Sequence, residues 1–190
     1  MWVNTFSMTK KNYQGYLLAA NPNNPCDELE QAVILLIGYG LDKVVGLQIN
    51  KPYDNLSFRS ISENIGIDLD MDDNIYQGGS NGLGKISVIH STDWTGLSTI
   101  LISENLAITN DISVLAALSR GEGPEYYRAC AGHWLWERDQ FDNQLDPHIN
   151  TRYKWEAVPA RIETVFAFEG EDQWRISLEE SARHQISVWF

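Results

Sequence analysis

Nowhere in this 190-residue chain does an uncharged apolar run exceed the six residues from Ala32 to Ile37, and the runs that exist are cut short by turn-forming residues. Tyr16 to Ala20 ends at Asn21-Pro22, Ala32 to Ile37 ends at Gly38-Tyr39-Gly40, and Val44 to Ile49 ends before Pro52. Short apolar runs rich in β-branched residues and bounded by such punctuation predict buried strands. A bilayer-spanning helix needs about 20 apolar residues, so these runs predict none. The first eleven residues hold no apolar stretch behind a basic region, so no secretory signal is read there and the expected compartment is the cytoplasm.

Downstream, helical and extended patterns mingle. Asn55 or Ser57 is the expected cap of a helix whose Phe58, Ile61 and Ile65 share a face and which closes at Gly66. Ile75 to Gln77, Lys85 to Ile89, Thr99 to Ile102 and Leu106 to Ile108 predict strands. A helix is expected to follow, capped by Thr109, Asn110 or Asp111, carrying Ile112, Leu115, Ala116 and Leu118, and closed by Gly121. Pro124 to Gly132 predicts another helix, Glu137 to Leu145 a polar one, Ile162 to Phe168 a strand, and an amphipathic segment begins near Asp172. Without regular βαβ spacing, the expected fold class is α+β: a mixed, largely antiparallel sheet with flanking helices. The length and the 43% apolar content predict one domain over residues 1–190, with 1–15 flexible and a loop inserted at 146–154.

The charge narrows the function. A formal net charge of −12 opposes a phosphate backbone, and Lys10-Lys11 is the only adjacent basic pair, so no nucleic-acid partner is expected. Cys26 and Cys130 lack a CxxC spacing and read as small buried hydrophobes.

Three motifs invite chemistry and fail. Gly79 to Lys85 matches G-x-x-x-x-G-K, but Ile86 stands where a metal-binding hydroxyl belongs and a strand follows where a helix N-terminus is needed. Asp68, Asp70, Asp72 and Asn74 mimic a calcium loop, yet Asp73 replaces its turn glycine and Gly79 its bidentate glutamate. His90-Ser91 with Asp93 hints at a hydrolase, but adjacent strand residues face opposite ways and no G-x-S-x-G elbow exists. No catalytic residue, metal site or cofactor is therefore predicted. Lys51, at a strand end before Pro52, is either a solvent-facing turn lysine or a contact for an anionic ligand.

The order Gly46-Leu47-Gln48-Ile49-Asn50-Lys51-Pro52, Gln77-Gly78-Gly79, Ile89-His90-Ser91, Thr109-Asn110-Asp111, then Ala131-Gly132-His133-Trp134 and Gln140, resembles the YqgE/AlgH family from about Tyr16 to Ala182. Ser80 stands where that family has proline after the paired glycines, and Phe141-Asp142 where it has Leu-Glu, as in a divergent member. The resemblance implies a bent, barrel-like sheet and a protein uncharacterised or regulatory, with no established reaction. The expectation is then a non-enzymatic protein that binds an unidentified protein partner or small ligand. The alternative is a small-molecule sensor or enzyme with a polar pocket around Lys51, His90 and Asp111. Candidate ligand-binding residues are Asn50, Lys51, Gly78, Gly79, His90, Ser91, Thr109, Asp111, Trp134 and Gln140. The sharpest expectation is that the Asn-Lys-Pro, paired-glycine and His-Ser segments converge on one ligand.

Overall fold

A computed structural model describes residues 11–24, 27–59, 73–151 and 153–187. Its strands are β1 (Tyr16–Ala20), β2 (Val33–Tyr39), β3 (Lys43–Gln48), β4 (Pro52–Ser57), β5 (Asn74–Gln77), β6 (Asn81–Ser91), β7 (Ile100–Leu101), β8 (Leu106–Thr109), β9 (Tyr127–Glu137) and β10 (Trp155–Pro159). Helices α1 (Ser113–Ser119), α2 (Arg138–Leu145), α3 (Ile162–Phe166) and α4 (Gly170–Ser187) flank them. The sheet runs β10-β1-β2-β3-β9-β6-β8-β7, curled into an antiparallel half-barrel. Only the β5–β9 pairing among the described strands is parallel, which makes the sheet mixed.

Burial on both faces explains why the strand-forming runs are continuous rather than alternating. Leu17, Leu35 and Leu47 lie opposite one another across β1, β2 and β3 and point into the concave core with Ile89, Cys130 and Val165. Their neighbours Leu18, Ile34 and Leu36 face the other way, against Phe141 of α2 and Trp155. Val88 and Ala129 meet Val114 and Leu115 of α1 on the convex side. Burial pushes the Cys130 thiol up to about 12, so it stays protonated and acts as an apolar filler.

Two local expectations are overturned. Pro124 to Gly132 is not a helix, because Tyr127 onward forms β9, the central strand. Its N-terminal half is held by β5 and β6, and its C-terminal half by β3. Ala129, Cys130 and Ala131 are fully or nearly buried there, so small side chains serve close packing rather than helix propensity. Ile162 to Phe168 is not a strand either. The β1 edge is already taken by β10 in the register Tyr16↔Pro159, and Thr164 turns the following residues into α3 by accepting the Arg161 amide at 3.0 Å. Ser57, the last residue of β4, directly precedes the helical residues Phe58 and Arg59, the place expected of a cap, while Asn55 lies inside the strand; Pro52 opens that strand, where a missing N–H costs nothing. The remainder of that expected helix, through Gly66, and Asp68, Asp70 and Asp72 lie outside the described residues.

The concave side is closed by α3 and α4. Arg128 of β9 ties them down from inside: its guanidinium donates to Gln173 Oε1 and Phe168 O, both at 2.9 Å, and to Ile49 O. It also lies 4.3 Å over the Tyr76 ring, whose hydroxyl donates to Glu169 at 2.8 Å. Trp174 Nε1 donates to Ala20 O at 2.7 Å, joining α4 to β1. Among the described residues no helix is long and apolar enough to cross a membrane.

Candidate functional site

The Asn-Lys-Pro and paired-glycine segments do meet. Gln48 N donates to Gly78 O at 2.9 Å and Gln77 N to Lys51 O at 2.8 Å, which stitches the chain after β3 to the end of β5. Asn50 is buried and belongs to the framework. Its Oδ1 accepts Val33 N at 2.9 Å, and its Nδ2 donates to Gln31 O at 2.8 Å and Gly170 O at 3.0 Å. Gly78 is there because nothing larger fits: a Cβ would stand 2.3 Å from Gly132 O. Gly132, at φ +76°, supplies the bend in β9 that lets β5 approach so closely.

Above this junction lies a recess of about 340 Å³, lined by Gln48, Lys51, Tyr53, Gln77, Gly79 and Trp134 among others. Lys51 reaches its rim and donates from Nζ to Glu28 O at 3.2 Å. Trp134 Nε1 donates to Gln48 Oε1 at 3.3 Å, while the buried Nε2 of Gln48 has no hydrogen-bond partner. Gln48, Tyr53 and Gln77 were absent from the sequence-derived candidates. The signal for Gln48 was present as a lone amide at the end of an otherwise apolar strand run, Val44 to Ile49.

The His-Ser segment lies elsewhere. Gln77 pairs with Ala131 on β9, whereas His90 pairs with Tyr127, four residues further along that strand. At roughly 3.3 Å per residue this is about 13 Å along the strand alone, and His90 and Ser91 are not in the lining of the recess beside Lys51 and Gly79. His90 is fully buried, with Nδ1 2.8 Å from Ser91 O and its ring edge-on to Trp94 at 5.2 Å. Ser91 Oγ donates to Asp93 and accepts Tyr126 N at 3.1 Å, and Asp93 Oδ2 accepts Glu125 N at 2.9 Å. That network staples the end of β6 to the start of β9. His90 does not contact the Ser91 hydroxyl, so no base–nucleophile pair is formed.

Thr109 and Asp111 start α1. Thr109 Oγ1 accepts Asp111 N at 3.1 Å and pairs with Ser98 Oγ at 3.0 Å, while Asp111 Oδ1 accepts Ser113 N at 2.9 Å. Gln140 is exposed on α2. Neither they nor His90 and Ser91 line the recess; Lys51, Gly79 and Trp134 do. Among the described residues no group of three or more His, Cys, Asp or Glu side chains is placed to hold a metal ion.

The sequence profile of the AlgH-like family matches residues 17–184, nearly the whole sheet and both closing helices. The chain belongs to the AlgH-like family. A UPF0301 protein of Methylococcus capsulatus is 28% identical over 172 residues, covering 90% of each chain. Another, from Cereibacter sphaeroides, is 29% identical over 164 residues, covering 84% of this chain and 86% of its own. The solution structure of the AlgH protein from Pseudomonas aeruginosa superposes with a TM-score of 0.73 at 24% identity, covering 90% of both chains. The crystal structure of a Corynebacterium diphtheriae protein gives 0.68 at 18% identity, covering 86% of this chain and 84% of its own. Both share the AlgH-like fold, and neither likeness carries a reaction.

Proposed function

We propose that this AlgH-like protein acts by binding a small ligand rather than by turning over a substrate, and that the ligand enters the recess lined by Gln48, Lys51 and Trp134. One observation carries this reading: Gln48, which lines the recess, has a buried amide donor, Nε2, without a hydrogen-bond partner. Leaving a buried donor unpaired costs about 1–3 kcal/mol, and a bound acceptor would recover that. The sensor or enzyme alternative required Lys51, His90 and Asp111 to converge. Their positions at the recess, inside the β6 staple and at the α1 cap weigh against it. The acidic charge disfavours a nucleic-acid partner, and the cytoplasm stays the compartment proposed.

The test is native purification followed by mass spectrometry of co-purifying small molecules and proteins, on the wild-type chain and on Gln48→Met. The expected result is a metabolite retained by the wild type and lost by the variant. A wild type that carries only a protein partner, retained equally by Gln48→Met, would move the function off the recess.

A further inference from the structure

We propose that the recess takes a small monocarboxylate, its oxygens held by the Gln48 side-chain amide and the Lys51 ammonium and its apolar part laid against Trp134. This rests on the binding reading above and adds the chemistry of the ligand.

The donor comes first. Gln48 is only 2% exposed, and its amide orientation is set by Trp134, whose indole N–H must meet the oxygen end. The unpaired end is therefore the NH₂, which calls for an acceptor. The indole contact is 3.3 Å, at the long end of the N–H···O range, so the pair can part to admit an oxygen without losing a strong bond. Lys51, half-buried on the same wall, already holds one carbonyl oxygen at 3.2 Å and supplies the positive charge that favours an oxyanion over a neutral amide.

The number of charges comes next. Among the described residues of the lining Lys51 is the one cation, and the exposed Glu28 shares the rim. The Glu28 carboxylate on the rim opposes a second negative charge, which favours a singly charged ligand over a phosphate dianion. The aromatic faces of Trp134 and Tyr53 and the side chain of Leu83 offer the rest of the ligand an apolar surface. A volume of about 340 Å³ suits a small acid and falls at the low end for small-molecule sites.

The experiment is an NMR titration of the full chain, following the Gln48 side-chain amide and the Trp134 indole N–H. The probes are phenylacetate, hexanoate, their carboxamides, inorganic phosphate, and a tripeptide with a free C-terminal phenylalanine. The carboxylates should move both signals saturably, and Lys51→Met should weaken them by about tenfold, as expected for a partly exposed charge-assisted bond. The carboxamides should bind more weakly by a similar factor, phosphate should leave the signals in place, and His90→Gln should change nothing. Carboxamides binding as tightly as carboxylates would overturn the carboxylate assignment while the binding reading stands. Tighter binding of the tripeptide would replace the free small acid with a chain terminus, and immobility of both signals with every probe would overturn the recess as a site altogether.

Discussion

At Gly78 the added methyl of an alanine would stand 2.3 Å from Gly132 O and 3.0 Å from Ala131 O, both backbone atoms that cannot swing away. Gly78→Ala should therefore cost about 3 kcal/mol in chemical denaturation, the upper end for overpacking, by forcing β5 off β9. Gly84→Ala, with open space around it, should stay within about 0.5 kcal/mol. His90 makes a second prediction. Burial lowers its pKa from 6.5, so as pH falls the unfolded chain protonates first. Above pH 6.5 both states are neutral there and stability is flat in this group; below it, stability falls until the lowered folded value is reached. Melting temperatures from about pH 7.5 to about pH 5 should drop more steeply for the wild type than for His90→Gln, and equal slopes would refute the assignment. Single residues were read with mixed success because a side chain's role depends on what the fold sets beside it. Lys51 and Gly79, beside strand ends, and Trp134, in the family's motif order, line the recess. Asn50, His90 and Asp111 are just as polar, but their hydrogen bonds are all internal to the framework.

Elements were legible where local pattern and tertiary demand agree. The β1, β2 and β3 runs and helix α1 appear close to their predicted places. Around β9 the two conflict: an alanine-rich stretch after a proline carries a helical signal, yet the half-barrel needs small side chains at its centre. The β-branched residues of α3 misled in the opposite sense, since the β1 edge is already paired with β10. Arg128 shows how elements are joined once formed, because a single guanidinium holds the loop between α3 and α4 through its carbonyls. Arg128→Met should cost about 3 kcal/mol overall, given the usual worth of charged hydrogen bonds. Hydrogen exchange should show amides of residues 162–187 opening faster, while β6 and β8 keep their protection. Uniform acceleration across the sheet would mean that Arg128 supports the whole core rather than this one closure.

For the molecule as a whole, the excess of 26 acidic over 14 basic residues opposes the electrostatic term that supplies most non-specific affinity for nucleic acid. Duplex DNA should show no submicromolar binding at physiological salt in a fluorescence anisotropy assay, and tight, salt-sensitive binding would contradict this. Closure of the half-barrel carries a different implication. The β1 edge is covered by β10, and Trp174 reaches back to Ala20 across 154 positions of sequence. During translation the concave residues Leu17, Leu35, Leu47 and Ile89 are therefore synthesised well before their cover has left the ribosome. Long-range closure of this kind is slow, and uncovered apolar walls attract other nascent chains. A pause or truncation before residue 155 would leave the barrel open along its most hydrophobic surface, and such a fragment would become a client of the cell's chaperones.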